Sequence, residues 1–129
     1  MKKFLILIVI STICLSFTAC GGAGDADQLI VRTHETHLED CTVIFHGFNK
    51  NDVHISEIVN SPDGSVIEHK YDIDGNHISE ICEMPDGSVY EHRYDKNGNH
   101  ISEISTLADG SYHEFQYDKD GNIVKEIHK

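Results

Sequence analysis

Histidine and glutamate recur along this chain at fixed spacing. Each series advances in steps of 23 residues: His46, His69 and His92 in one, and Glu57, Glu80, Glu103 and Glu126 in the other. Imidazole and carboxylate are ligands of zinc and similar divalent ions. The same two groups also form ion pairs that stabilise neighbouring strands. Which chemistry applies depends on the elements that carry these side chains.

A longer motif shares the period. Tyr-Asp-x-x-Gly-Asn begins at Tyr71, Tyr94 and Tyr117, and Asp-Gly-Ser begins at Asp63, Asp86 and Asp109. Between these turn motifs lie segments of about eight residues rich in Ile, Val, Tyr and His, with polar residues interleaved, which is typical of β-strands. We therefore expect an all-β fold, an antiparallel β-meander of 23-residue hairpin repeats that forms a single twisted or curled sheet.

The odd period constrains the two turns of each repeat. A residue and its copy must lie on the same face of the sheet. One loop should therefore contain an even number of residues and the other an odd number. Pro62-Asp63-Gly64 suits a three-residue loop with a left-handed glycine, whereas Asp74-Gly75 suits a two-residue type I′ turn. A bulge, which adds one residue to a strand, also gives a period of 23 residues, so that alternative stays open.

The two-residue turn fixes which side chains become neighbours. One row of the sheet should be apolar and form the core, and its members are Phe48, Ile55, Tyr71, Ile78, Tyr94, Ile101, Tyr117 and Val124. A second row on that face should alternate histidine with glutamate. On the opposite face, His54, His77 and His100 should alternate with turn aspartates.

The alternating row supplies the candidate metal ligands, which are His69, Glu80, His92 and Glu103. Cross-strand charge pairing explains the same alternation, and no position shows the compact ligand spacing of a dedicated metal site. The sequence alone therefore favours pairing over metal binding, and it predicts no cofactor.

The first 19 residues have the parts of a secretory signal. Met1-Lys2-Lys3 is positively charged, residues 4–17 are almost wholly apolar, and Thr18-Ala19 supplies small residues at the cleavage point. The apolar run is shorter than the ~20 residues of a transmembrane helix. We therefore expect residues 1–19 to be a signal peptide.

Phe17-Thr18-Ala19-Cys20 resembles the lipobox of bacterial lipoproteins. That resemblance implies acylation of Cys20 and a lipid anchor in the bacterial cell membrane, with the protein on the extracytoplasmic side. Residues 20–27 are then the lipidated cysteine and a flexible, glycine-rich tether. The repeat domain follows over residues 28–129, with clear repeats in 53–129 and a degenerate copy in 42–52.

The repeat motif resembles the YD repeat of Rhs-type bacterial surface and toxin proteins over about residues 42–129. Pro85-Asp86-Gly87-Ser88-Val89-Tyr90-Glu91 is also similar to part of a MORN repeat, which ranks second because the paired glycines of that family are missing. Both resemblances imply a β-hairpin scaffold rather than a catalyst.

Charge and motif content narrow the function. The formal net charge of −12 disfavours nucleic acid as a partner, and the common catalytic motifs are missing from the sequence. We expect a lipid-anchored binding or structural module of the cell envelope, not an enzyme, that binds a protein partner or self-associates through its Tyr/Ile face. The alternatives are an extracytoplasmic divalent-metal-binding protein rich in histidine and acidic residues, and an accessory or immunity-type partner of an Rhs toxin.

Two further expectations concern the ends of the sheet. Leu29-Ile30-Val31 should add one edge strand. Cys41 and Cys82 should lie three strands apart, at about 14 Å, and remain unpaired because a disulfide cannot span that distance.

Overall fold

The computed structural model describes residues 28–129, so the predicted signal peptide, the tether and Cys20 lie outside the described residues. Nine antiparallel strands form one sheet, and their order in the sheet follows the chain. The strands are β1 (Arg32–His37), β2 (Val43–Phe48), β3 (His54–Asn60), β4 (Val66–Tyr71), β5 (His77–Glu83), β6 (Val89–Tyr94), β7 (His100–Thr106), β8 (Tyr112–Tyr117) and β9 (Ile123–His128). The predicted all-β meander is confirmed. Within residues 28–129, no helix has the length and apolar character needed to cross a membrane.

The loops that contain Pro-Asp-Gly have the predicted geometry. The Ser61 N–H donates to the Ser65 carbonyl at 3.0 Å, which leaves a three-residue loop between them. Gly64 has a φ of +90°, a left-handed conformation that glycine adopts without the steric cost of a side chain. The Asp63 carboxylate accepts hydrogen bonds from the Ser65 backbone at 2.9 Å and the Ser65 hydroxyl at 2.8 Å. The sequence Asp-Gly-Ser therefore closes this hairpin with its own side chains.

The other loop of each repeat differs from the prediction. Asp72 and Asn76 form the closing pair, with the Asp72 N–H donating to the Asn76 carbonyl at 2.9 Å. The loop between them thus has three residues, and the expected two-residue turn at Asp74-Gly75 is wrong. The physical reason lies in the Asp72 carboxylate, which accepts hydrogen bonds from the backbones of Asp74 and Asn76 and from the Asn76 side chain. These bonds stabilise the longer loop.

A β-bulge restores the odd period. Tyr71 pairs with His77, but the next pair is Lys70 with Ser79, so Ile78 has no partner across the strands. The same shift recurs at the corresponding place in three other hairpins, where the unpaired residues are Ile55, Ile101 and Val124. Each repeat therefore combines two three-residue loops with one extra residue in a strand. Of the two solutions compatible with the period, the protein uses the bulge.

The bulge divides the predicted core row between the two faces. Tyr71 and its copies Tyr94 and Tyr117 share a face with the histidine–glutamate row. Ile55 and Ile78 lie instead on the opposite face, where both line a cavity of about 420 Å³ together with Ile58. The predicted continuous Tyr/Ile row is wrong, because the extra residue reverses the alternation of side chains at this point. Within residues 28–129, Ile55 is the only apolar side chain classed as buried, at 3% exposed.

We call the face that carries the histidine–glutamate row the histidine face, and the other the isoleucine face, after Ile58, Ile81 and Ile104. Away from the bulges and the turn-proximal histidines, the predicted register is correct. Ile67, Cys82, Tyr90 and Ser105 form one row of the histidine face, and Ile58, Glu68, Ile81 and Glu91 form part of one row of the isoleucine face.

The expected edge strand exists but begins later than predicted. Its first residue is Arg32 rather than Leu29. Leu29 and Ile30 instead help to line the 420 Å³ cavity on the isoleucine face, and the Ile30 Cδ1 atom lies 3.0 Å from the point a Gly47 side chain would occupy. Cys41 and Cys82 are both free thiols, as predicted.

Acid should destabilise this fold through its turn aspartates. Hydrogen bonds from the Asn76 side chain and backbone hold the pKa of Asp72 below its ordinary value of 3.8, and the Ser65 backbone and hydroxyl lower the pKa of Asp63 in the same way. A pKa lowered by folding contributes stability that is fully present above the unfolded-state pKa and is lost as the pH falls through the folded-state pKa. We therefore expect the free energy of unfolding, measured by urea denaturation, to fall most steeply below about pH 4. An Asp72→Asn variant should show a shallower decrease, and a slope equal to that of the wild type would contradict this account.

Candidate metal sites

The bulge places two ligand-type side chains of one strand on the same face. In a regular strand, residues three apart such as His77 and Glu80 point to opposite faces. Because Ile78 is the extra residue, both side chains lie on the histidine face of β5. His69 is the direct cross-strand partner of Glu80. A short segment of two strands therefore brings two imidazoles and one carboxylate together.

This arrangement occurs three times. In each group the possible ligand atoms lie within 4.8 Å of one another, and every member is half-buried. We number the groups from the N-terminal side as site 1 (His46, His54 and Glu57), site 2 (His69, His77 and Glu80) and site 3 (His92, His100 and Glu103). One repeat therefore supplies one site.

The same atoms face one another in the different sites. The Nδ1 atom of His69 lies 3.3 Å from Nε2 of His77 and 3.4 Å from Oε2 of Glu80. In site 3 the corresponding nitrogen atoms of His92 and His100 are 3.2 Å apart. In site 1 the Nδ1 atom of His46 is 3.2 Å from Oε2 of Glu57.

These separations match the geometry of a tetrahedral ion. Zinc binds imidazole nitrogen at about 2.0–2.1 Å, so two ligands of a tetrahedral zinc ion lie about 3.3 Å apart. The separations of 3.2–3.4 Å in the three sites match one edge of such a polyhedron in sites 1 and 3 and two edges in site 2, and the remaining ligand atoms lie within 4.8 Å. Three protein ligands leave the fourth position of the ion open to water or to an external ligand.

Aromatic rings fill the space between neighbouring sites. The Tyr71 ring lies 5.1 Å from the His54 ring of site 1 and 5.4 Å from the His77 ring of site 2. Tyr94 lies between sites 2 and 3 in the same manner, 4.9 Å from His77 and 5.4 Å from His100. This ladder of rings restricts the rotation of the second histidine of each site and shields it from water.

The pKa values of the neighbouring tyrosines reflect the negative charge of the sites. Burial, and then the carboxylates of Glu57 and Glu80, raise the pKa of the Tyr71 phenol. Burial and the Glu103 carboxylate do the same for Tyr117, whose hydroxyl donates a hydrogen bond to Oε2 of Glu103 at 3.3 Å. The phenols therefore stay protonated beside a row of carboxylates, and Tyr117 orients one ligand oxygen of site 3.

The last repeat lacks a site. Phe115 stands where His92 stands one repeat earlier, and Ile123 stands in the place of His100, whereas Glu126 is retained. The backbone register is unchanged, since Tyr117 pairs with Ile123 and Phe115 pairs with Glu126. The last repeat thus adopts the same fold without either histidine. The sheet itself therefore does not require the two histidines of a site.

The sequence predicted part of this arrangement. The row that contains His69, Glu80, His92 and Glu103 has the predicted cross-strand pairs. His54, His77 and His100 were expected on the opposite face and are instead the third members of the sites. The expectation that no position has compact ligand spacing is therefore wrong, because it depended on a regular strand in place of the bulge.

Comparisons with known proteins add no assignment. No protein-family model matches the chain, and a search of curated proteins finds no match. The functional interpretation therefore depends on the geometry of residues 28–129.

Proposed function

We propose that this protein binds divalent transition ions of the zinc type on the histidine face of its repeat sheet, with one ion at each of sites 1, 2 and 3. The observation that carries the proposal is the threefold recurrence of a His, His, Glu group whose ligand atoms lie within 4.8 Å of one another. Imidazole and carboxylate together favour zinc and its neighbours over the hard ions calcium and magnesium, which prefer oxygen ligands.

Electrostatics support the same ligand class. The formal net charge of −12 attracts cations and repels anions over the whole surface. At site 1, the side chains of His46 and Glu57 are 23% and 24% exposed, so an ion there is partly shielded from water but can still enter and leave. We assign the sites to binding rather than catalysis, since they lie on strands of the sheet and not on the irregular loops that usually carry catalytic residues.

The proposal places the sheet outside the cytoplasm on a lipid anchor at Cys20. Its support is the resemblance of Phe17-Thr18-Ala19-Cys20 to a lipobox. Mass spectrometry of protein extracted from bacterial membranes tests this part independently of metal binding. A mature chain that begins at an acylated Cys20 is expected, whereas a chain that keeps residues 1–19 would contradict the anchor.

A scaffold function is the second candidate. It is favoured by the single-layer sheet, whose isoleucine face holds half-buried side chains such as Ile58, Ile81 and Ile104. The resemblance to YD repeats points the same way, because those repeats serve as scaffolds. The predicted Tyr/Ile contact face cannot mediate this role as one surface, since the tyrosines and the bulge isoleucines lie on opposite faces of the sheet.

Zinc titration of the full-length protein in detergent tests the central proposal. With a chromophoric chelator as competitor, we expect three zinc ions per chain with dissociation constants below about 1 µM. Calcium and magnesium in millimolar excess should not displace them, because their preferred ligands are oxygen atoms. Absence of bound zinc under these conditions would refute the metal-binding function and leave the scaffold function.

A further inference from the structure

The three sites share their ligands but differ in what surrounds them. In site 1, the Thr36 hydroxyl lies 3.3 Å from Nε2 of His46, on the side of the ring away from Glu57. The Nδ1 atom of the same ring faces Oε2 of Glu57 at 3.2 Å. The hydroxyl therefore engages the nitrogen that does not bind the ion, and it holds the ring with Nδ1 directed at the site.

Sites 2 and 3 lack this hydroxyl. The residues one and two repeats after Thr36 are Val59 and Cys82. Their backbone positions are equivalent, because Thr36 pairs with Ile44 and Val59 pairs with Ile67, each two residues before the first histidine of its site. A valine has no hydrogen bond to offer, and a thiol is a weak donor. Within residues 28–129, site 1 is therefore the one site whose first histidine is held by a threonine hydroxyl on its outer nitrogen.

The second histidine also differs among the sites. In sites 2 and 3, Nε2 of His77 and of His100 already has a hydrogen-bonding neighbour, which is Nδ1 of His69 or of His92. In site 1, Nε2 of His54 is buried and has no hydrogen-bond partner among the described residues. A buried nitrogen without a partner is costly, and an ion bound there removes that cost. At the second histidine of the other two sites, the ion must first displace a hydrogen bond.

The carboxylate of site 1 is less exposed to water than that of site 2. The Glu57 side chain is 24% exposed and its counterpart Glu80 is 31% exposed, while His46 and His69 are nearly equal at 23% and 22%. Electrostatic attraction between an ion and its ligands is stronger where water is excluded. Burial therefore acts in the same direction as the hydroxyl and the unpartnered nitrogen.

We propose that site 1 binds its ion before sites 2 and 3, and that Thr36 is the positioning residue that sets this order. The inference rests on the proposed function and adds to it a ranking of the sites. The edge strand β1 then has a role beyond covering β2, since it supplies the outer hydrogen bond of the tightest site.

The order of filling can be read from the histidine rings by nitrogen-15 NMR of the full-length protein in detergent. During a zinc titration, the ring signals of His46 and His54 should shift within the first equivalent. Those of sites 2 and 3 should shift only in the later equivalents. Earlier or simultaneous shifts at sites 2 or 3 would overturn the ranking while leaving the metal-binding function intact. Absence of any shift would refute both.

Three variants test the role of Thr36. Thr36→Val keeps the shape of the side chain and removes the hydroxyl, and it should weaken the tightest zinc-binding step by about 10-fold or more without altering the other two. Thr36→Ser should restore that step. Val59→Thr should install the missing hydrogen bond at His69 and strengthen binding at site 2.

Each variant also provides a check on the others. Because Val59→Thr tests the same hydrogen bond in another strand, the test does not depend on Thr36→Val remaining folded. An unchanged first step in Thr36→Val, or unchanged site 2 binding in a folded Val59→Thr protein, would contradict the assigned role of the hydroxyl. Nitrogen-15 relaxation of the His46 ring should in addition show larger ring motion in Thr36→Val than in the wild type, with the His69 and His92 rings unchanged, a local effect that a general loss of structure would not produce.

Discussion

Replacing Phe115 and Ile123 with histidine should give the protein a fourth zinc ion. The last repeat retains Glu126 in the position of Glu103, and it retains the bulge at Val124. The double variant Phe115→His with Ile123→His therefore restores the full His, His, Glu group on a backbone that already has the required register. The expected result in a zinc titration is a rise from three to four ions per chain.

The single variants are the matched controls for this gain. Because the His128 imidazole already contacts the Glu126 carboxylate, the single and double variants are compared in a His128→Phe background. There, Phe115→His alone or Ile123→His alone supplies only two ligands, and the loss of one ligand should cost at least about 100-fold in affinity, since outer-shell partners alone are worth 10–100-fold. Neither single variant should add a tight site. A folded double variant that still binds three ions would show that the register of these residues does not determine metal binding.

The converse change should remove one ion. His69→Phe with His77→Ile copies into site 2 the two residues that the chain itself carries at Phe115 and Ile123. Because the last repeat forms strands β8 and β9 with these residues, the sheet should tolerate them. Zinc titration should then give two ions per chain, with the affinities of sites 1 and 3 retained.

A histidine outside the sites is the control for this loss. His113 lies on the histidine face, in the row that also contains Ser105 and His128, and it belongs to none of the three sites in the described part of the chain. His113→Phe should therefore still bind three ions. Loss of an ion in this variant would mean that histidine content, rather than the geometry of the sites, determines binding.

The fold could be predicted from the sequence because its signals are local and repeated. The Asp-Gly pairs, the prolines at 62 and 85, and the alternation of Ile, Val and Tyr with polar residues each indicate short strands and tight turns. Register followed from the period, so the histidine–glutamate row and the isoleucine row were predicted correctly. The free state of Cys41 and Cys82 followed from the same strand order.

The sites could not be predicted because two backbone solutions fit the same period. A two-residue turn with regular strands and a three-residue loop with a bulge both give 23 residues, yet they place His77 on opposite faces. One signal did distinguish them. Asp-Gly occupies the same two positions in Pro62-Asp63-Gly64 and in Ile73-Asp74-Gly75. Each loop is followed by a polar residue that donates a hydrogen bond to an aspartate, Ser65 to Asp63 and Asn76 to Asp72. Two loops with the same pattern adopt the same turn.

The outer hydrogen bond at Thr36 was also beyond sequence reasoning. The edge strand was expected at Leu29-Ile30-Val31, whereas the pairing of β1 with β2 begins at Arg32. The pairing of Thr36 with Ile44 places Thr36, rather than another residue of the segment, beside His46. The apolar residues at 29–31 were expected in the edge strand itself, but in the structure Leu29 and Ile30 line the isoleucine-face cavity.

Anomalous X-ray diffraction at the zinc edge, from crystals of the zinc-loaded protein, locates the bound ions and is the decisive test of the three sites. We expect three zinc peaks in a row on the histidine face, each between two imidazoles and one carboxylate, with neighbouring peaks two strands or about 10 Å apart. Electron density that places His54, His77 and His100 on the face opposite to Glu57, Glu80 and Glu103, or zinc peaks away from these groups, would contradict it.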